Sequence, residues 1–183
     1  MAIAHEESDA DIVTRVVGGD INAYARIMQR YEAKLQRYVV FLLHDEFTAQ
    51  DVVQETFITA YRNLTGYNPS YKFSSWIYRI AHNQAMNAVK KQPPLSYDEP
   101  LEPIYDPELA QALDARLAQQ HIQSCVAGLK PKYRDVIQLI FFEKMKYQDA
   151  ADVLHIPTAT VGVWLLRAKR SLAAICQKKG VRP

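Results

Sequence analysis

The stretch YQDAADVLHIPTATVGVWLLRAKRSL, residues 147–172, decides how this chain is read. A helix-turn-helix needs a small residue in its first helix for close packing and a turn four residues later. It also needs a branched apolar residue to anchor the second helix. Ala151, His155 and Val161 fall at those three positions, in a first helix that begins near Tyr147. Pro157-Thr158 then opens a second helix, expected to reach about Ala174 and to enter the major groove of duplex DNA by its N-terminal end. Arg167, Lys169 and Arg170 lie further along, placed for phosphates. Two features depart from the pattern. The turn position prefers glycine, because its backbone is left-handed, and histidine tolerates that only moderately. Residues 158–164 contain Thr158, Thr160 and Trp164 but no Arg, Asn or Gln able to read base edges. The competing reading is an ordinary helical pair with Trp164 in its core.

The surroundings favour DNA. Residues 116–183 carry 12 Lys/Arg against 4 Asp/Glu, residues 91–115 carry 1 against 6, and residues 1–90 carry 9 against 10. The net charge of +2 therefore conceals a basic C-terminal part suited to a polyanion. Other classes fit poorly. No stretch approaches the ~18 apolar residues of a membrane span, so no membrane insertion is expected. Glu6, Glu7, Asp9 and Asp11 stand where a secretory signal would be basic and then apolar. Cys125 and Cys176 lack CxxC spacing and read as reduced thiols of a cytoplasmic protein. The five histidines (His5, His44, His82, His121 and His155) are scattered, and there is no phosphate-cradling glycine loop and no metal-ligand spacing. No catalytic residue, cofactor or metal is expected, and the chain does not read as an enzyme.

Hydrophobic periodicity is helical almost throughout, which predicts an all-α protein. Ser8-x-x-Asp11 resembles a capping box for a short helix stopping at Gly18-Gly19. Asp20 is expected to cap the next helix, with Tyr24, Ile27, Met28, Tyr31, Leu35, Tyr38, Val39 and Leu42 as one buried stripe. Thr48-x-x-Asp51 is expected to open a third, with Val53, Phe57, Ala60, Tyr61 and Leu64 facing inward. After a loop at residues 66–69, Ser74 or Ser75 is expected to cap a fourth helix running to about Lys91. Five prolines in the acidic stretch 93–107 argue for an extended, flexible linker. The pattern resumes at Asp106-Pro107 and runs to Gly128, and Pro131 opens a further helix. Two small helical domains follow, residues 1–91 and 107–183, joined by a linker at 92–106.

A second chemical signal lies upstream. Between Glu55 and Asp98 there is no Asp or Glu, while Arg62, Lys72, Arg79, Lys90 and Lys91 occur there. Tyr67, Tyr71, Phe73, Trp76 and Tyr78 crowd into the same segment. Rings among cations, free of carboxylates, suit single-stranded nucleic acid, where bases stack and the backbone follows positive charge. Arg79, Asn83, Met86, Asn87 and Lys90 form one helical stripe able to bond bases and phosphates. Core packing accounts equally well for Phe73, Trp76 and Tyr78; Tyr67 and Tyr71, with Asn68 in the same loop, are better placed for exposed stacking. The third helix presents Asp51, Gln54, Glu55, Arg62 and Asn63 outward, and acids beside a DNA-facing segment suggest docking of a basic protein surface.

The run DVVQETFITAYRNL at 51–64, followed by FSSWIYRIAHN at 73–83, resembles the second conserved region of bacterial RNA polymerase sigma factors. The resemblance is to the extracytoplasmic-function (ECF) group, which keeps only the second and fourth regions; residues 129–172 look like the fourth. It implies that the helix around Asp51, Gln54, Glu55, Phe57 and Arg62 binds the clamp helices of core RNA polymerase. It implies that the Tyr67 loop and the aromatic segment trap a base flipped from the opening minus-ten element, with Asn83 contacting the strand and Arg79, Asn87 and Lys90 assisting. The helix-turn-helix would read the duplex minus-thirty-five element and abut the polymerase flap. An anti-sigma protein is implied as a partner. Family members often place Lys or Arg, Ser and Arg where Gly162, Val163 and Trp164 stand here, which points to a duplex contact dominated by shape and backbone. The alternative, a stand-alone helix-turn-helix regulator, leaves the acid-free segment and the acidic third helix unexplained.

Overall fold

The structure is a computed structural model and describes residues 7–91 and 124–178. All described elements are helical. The helices are α1 (Asp9–Val17), α2 (Tyr24–Leu43), α3 (Glu46–Arg62), α4 (Phe73–Lys91), α5 (Pro131–Ile137), α6 (Tyr147–Leu154) and α7 (Thr158–Lys178). Short 3-10 turns at Ile21–Ala23 and Leu64–Gly66 link the early helices, and residues 124–127 are helical as well. The expected linker and the helix expected from Asp106 to Gly128 lie outside the described residues, except for the latter's last turn. The chain forms two compact units, residues 1–93 with 145–156 and residues 94–144 with 157–183.

In the first unit, α1 opens as expected: Ser8 and Asp11 form a reciprocal capping box. Asp20 does not cap the next helix; its carboxylate pairs with Arg15, and a 3-10 turn leads into α2 instead. The α2 stripe is buried except for Met28. Its tyrosines each tie it to another element, since a ring brings apolar area and a polar tip together. Tyr24 donates to the Phe57 carbonyl of α3 at 2.7 Å, Tyr31 meets Phe73 edge-on at 5.7 Å, and Tyr38 lies 5.1 Å from Tyr78. Helix α3 starts earlier than Thr48 because Asp45 is the cap, accepting from the amides of Phe47 and Thr48. Its inward face is buried apart from Tyr61, whose ring packs edge-on against Tyr24. Helix α4 begins at Phe73, so neither Ser74 nor Ser75 precedes it; Ser75 is buried with an unpartnered hydroxyl.

In the second unit, Pro131 occupies the first turn of α5, whose last residues run into a π-helical turn at Gln138–Phe142. Helix α5 packs on α7, with Val136, Ile137, Leu139, Val161, Leu165 and Ala168 buried. Helix α7 extends past the expected end at Ala174 to Lys178.

Candidate nucleic-acid interface

Helix α3 turns Asp51, Gln54, Glu55 and Arg62 to solvent on its outer face. Phe57 was grouped with them but is 5% exposed, so it supports that face from the core. Phe47, which the sequence pattern did not single out, is 83% exposed one turn before Asp51. Gln84 of α4 fixes the register of the two helices. Its Oε1 lies 2.7 Å from Thr56 Oγ1, and its Nε2 donates to Thr59 Oγ1 at 2.9 Å.

The loop after α3 divides its aromatics. Tyr67 is half-buried, with its ring 5.4 Å from both Phe73 and Trp76 and its hydroxyl donating to the Tyr71 carbonyl at 2.6 Å. It is therefore less free than a loop position suggested, and burial raises its phenol pKa. Tyr71 is 52% exposed. Asn68 is exposed and its Oδ1 accepts from the Ser70 amide at 2.9 Å, so its side chain shapes the turn. Phe73 and Tyr78 are core, whereas Trp76 is half-buried. Tyr67, Pro69, Tyr71, Lys72 and Phe73, together with Asp9 and Ala10, line a pocket of about 330 Å³. The charge of Asp9 is engaged by Arg30 at 2.7 Å and by the Tyr31 hydroxyl at 2.5 Å.

Along α4, Asn83, Asn87 and Lys90 are exposed on successive turns, with Met86 half-buried between them. The two cations nearest the start of α4 are engaged. Lys72 pairs with Asp149 at 2.6 Å, and Arg79 Nε donates to the Asp152 carbonyl at 2.7 Å. Both partners belong to α6, which lies in the same compact unit. His82 Nδ1 sits 2.9 Å from the Tyr38 hydroxyl. Burial, and then the charge of His155, push its pKa down to about 4. Sequence reasoning missed Asp149 and Asp152; the available signal was that two of the four acids in residues 116–183 fall within one short helix.

In the helix-turn-helix segment, Ala151 and Val161 are buried and His155 is left-handed at φ 53°, as the spacing requires. Tyr147, Arg167, Lys169 and Arg170 are exposed, while Thr158, Thr160 and Trp164 are half-buried. Trp164 carries the Lys132 ammonium 5.3 Å above its ring, and Lys169 lies 5.2 Å over Phe141. No group of metal-ligating side chains occurs among the described residues, and no described helix is long and apolar enough to cross a membrane.

Known proteins match this arrangement along most of the chain. Residues 27–93 match the Sigma-70 region 2 family, and residues 119–172 match the Sigma-70, region 4 family. The chain is 34% identical over 181 residues to the RNA polymerase sigma-H factor of Pseudomonas aeruginosa, covering 91% of this chain and 93% of that one. It is 30% identical over 173 residues to the ECF RNA polymerase sigma factor SigW of Bacillus subtilis, covering 87% and 92%. Among solved structures, CnrH in complex with the cytosolic domain of CnrY has a TM-score of 0.70 at 23% identity, covering 91% and 96%. The sigma factor RpoE in complex with the anti-sigma factor NepR from Bartonella quintana has a TM-score of 0.64 at 16% identity, covering 84% and 96%. At these identities the two structures bear on the fold alone. The family matches define a sigma factor, a subunit that binds core RNA polymerase and directs promoter recognition and transcription initiation. Within that class, the chain belongs to the extracytoplasmic-function group. Sigma factors are not enzymes, and the stand-alone regulator is set aside.

Proposed function

We propose that this sigma factor divides its work along the chain. Residues 1–91 dock on core polymerase and open the minus-ten element, residues 92–106 serve as linker, and residues 107–183 read the minus-thirty-five element. The exposed acids Asp51 and Glu55, with Gln54 and Arg62, meet the clamp helices, while Phe57 holds that face in place from beneath. Asn83, Asn87 and Lys90 contact the displaced strand, and a flipped base enters the pocket lined by Tyr67, Tyr71 and Lys72, with Asn68 shaping the loop and Trp76 packed on the Tyr67 ring. Arg79 adds a further cation to this track. At the minus-thirty-five element, Thr158 and Thr160 touch the duplex and Arg167, Lys169 and Arg170 hold its phosphates, with Trp164 serving packing. The protein acts in the cytoplasm, and an anti-sigma protein is its regulatory partner, the class that holds RpoE in its solved complex.

The observation that carries this reading is the row Asn83, Asn87 and Lys90, exposed on an acid-free helix whose first residues line an aromatic pocket. Asparagine amides both donate and accept, so they suit base edges, and removing such a contact costs about 1–3 kcal/mol. Asn83→Ala with Asn87→Ala should weaken binding of the core-bound protein to promoter templates carrying an unpaired minus-ten element by about tenfold or more, while fully paired templates remain unmelted. Unchanged affinity on the unpaired templates would remove the strand-binding role from α4.

A further inference from the structure

Helix α7 carries no Asp or Glu in its 21 residues, and its cations begin only at Arg167. At about 100° per residue, Ala159, Val163, Leu166 and Arg170 fall on one narrow stripe. The opposite face, with Val161, Leu165 and Ala168, is buried, and α7 packs on α5. The stripe is therefore turned outward: Val163 is 47% exposed and Leu166 53%, with Ala159, Arg167 and Arg170 exposed around them. One exposed apolar side chain is ordinary on a protein surface. Two on successive turns, between a helix N-terminus and a pair of arginines, stand where a groove-bound helix meets base edges. Neither valine nor leucine can donate or accept a hydrogen bond. Over most of the major-groove edge they would strip water from donors and acceptors and replace nothing. The thymine C5-methyl is the apolar substituent displayed there. Residues 163 and 166 are about 4.5 Å apart along the helix axis, against ~3.4 Å between neighbouring base pairs. The pair thus matches adjacent steps of the duplex.

We infer, resting on the proposed role of residues 107–183 at the minus-thirty-five element, that Val163 and Leu166 read thymine methyls at neighbouring base pairs of that element. Arg167 and Arg170 hold the flanking phosphates. The two aliphatic side chains supply the specificity of a helix whose first turns hold no Arg, Asn or Gln. Apolar burial sets the size of the effect: one methyl covered from water is worth about three- to fivefold in affinity. Such a contact releases no counterions, so the preference for thymine survives added salt while overall affinity falls.

The test uses core polymerase bound to the full chain, on a duplex that this complex selects from templates randomised at minus-thirty-five. Deoxyuridine replaces each thymine of either strand in turn, which removes the C5-methyl and leaves every hydrogen-bonding group. Binding should weaken about three- to fivefold at two neighbouring positions and change little elsewhere. Val163→Ala should erase the effect at one of them and Leu166→Ala at the other. Both side chains are exposed, so alanine leaves the core between α5 and α7 filled. Deoxyuridine without effect at every position would overturn the assignment. So would an effect that persists in both variants, since it would then act through duplex shape. Weaker binding of the variants to core polymerase without DNA, with deoxyuridine silent, would overturn it too and give the pair to a protein surface. Failure of the minus-thirty-five reading itself looks different, because scrambling that element would then leave binding unchanged.

Discussion

Asp135 sits in α5 with 7% of its surface exposed and its Oδ1 without a hydrogen-bond partner. Burial raises its carboxyl pKa from 3.8 to about 6, against a smaller opposing pull from Arg134. The unfolded chain loses this proton first. The group's contribution to stability is therefore full below pH 3.8 and is lost as pH rises through 6, a change of up to about 3 kcal/mol. Asp135→Asn cannot ionise. It should be more stable than the wild type by about 1–3 kcal/mol at pH 7.5 and near parity at pH 4, measured by urea titration. His82 has the opposite sign, because its pKa is lowered from 6.5 to about 4. Here the unfolded chain gains the proton first, so stability is full above pH 6.5 and is lost as pH falls toward 4. Between pH 7 and pH 5 these two groups weaken the first unit and strengthen the second. Amide protection factors, with intrinsic exchange divided out, should fall at residues 77–85 and rise at residues 136–139 as pH drops from 7 to 5; a common direction would show that neither group dominates its unit. Neither environment was legible in the sequence. A lone aspartate in a basic region reads as solvated, and a histidine among polar residues does not announce that a tyrosine hydroxyl lies 2.9 Å away.

At the scale of elements, helix faces were legible, and helix starts were legible only where one capping residue or proline stood alone, as at Ser8 and Pro131. Spacings of three and four residues mark the α2 and α3 stripes because one face must be buried whatever lies opposite. Other starts were ambiguous because Asp45 and Thr48, or Ser74 and Ser75, are all chemically able to cap. The structure selects Asp45, and the Thr48 hydroxyl itself bonds to that carboxylate. Asp45→Ala should destabilise the first unit by about 1 kcal/mol, and Thr48→Ala by less; the reverse order in denaturant titration would restore Thr48 as the cap. Helix α7 carries its charge beyond its first turns, at Arg167, Lys169 and Arg170, all exposed. Alanine at each should lower the salt-dependence slope of duplex binding by about 1 while leaving promoter preference unchanged. Thr160→Ala should produce a mild loss spread across the minus-thirty-five element. A loss confined to one base pair would show that Thr160 reads sequence directly.

For the molecule as a whole, the all-α class, the helix-turn-helix and the acid-free composition of residues 56–97 could be read from the sequence, because each depends on local spacing or composition. The docking of α6 on α4 could not, since Lys72 and Asp149 are 77 positions apart and nothing local pairs them. That contact changes the picture of the α4 face from a free cationic track to one partly covered by the chain's own acceptors. The acidic face of α3 remains open, with Asp51 and Glu55 exposed. Asp51→Lys with Glu55→Lys should abolish binding to core polymerase while leaving the helical circular dichroism unchanged. The most direct measurement of the central claim is run-off transcription by core polymerase on templates with randomised promoter elements, duplex and pre-melted, with and without this chain. Transcripts are expected from a subset of duplex templates only when the chain is added, and none with the double charge reversal. No transcript from either template, together with no binding to core polymerase, would contradict that claim.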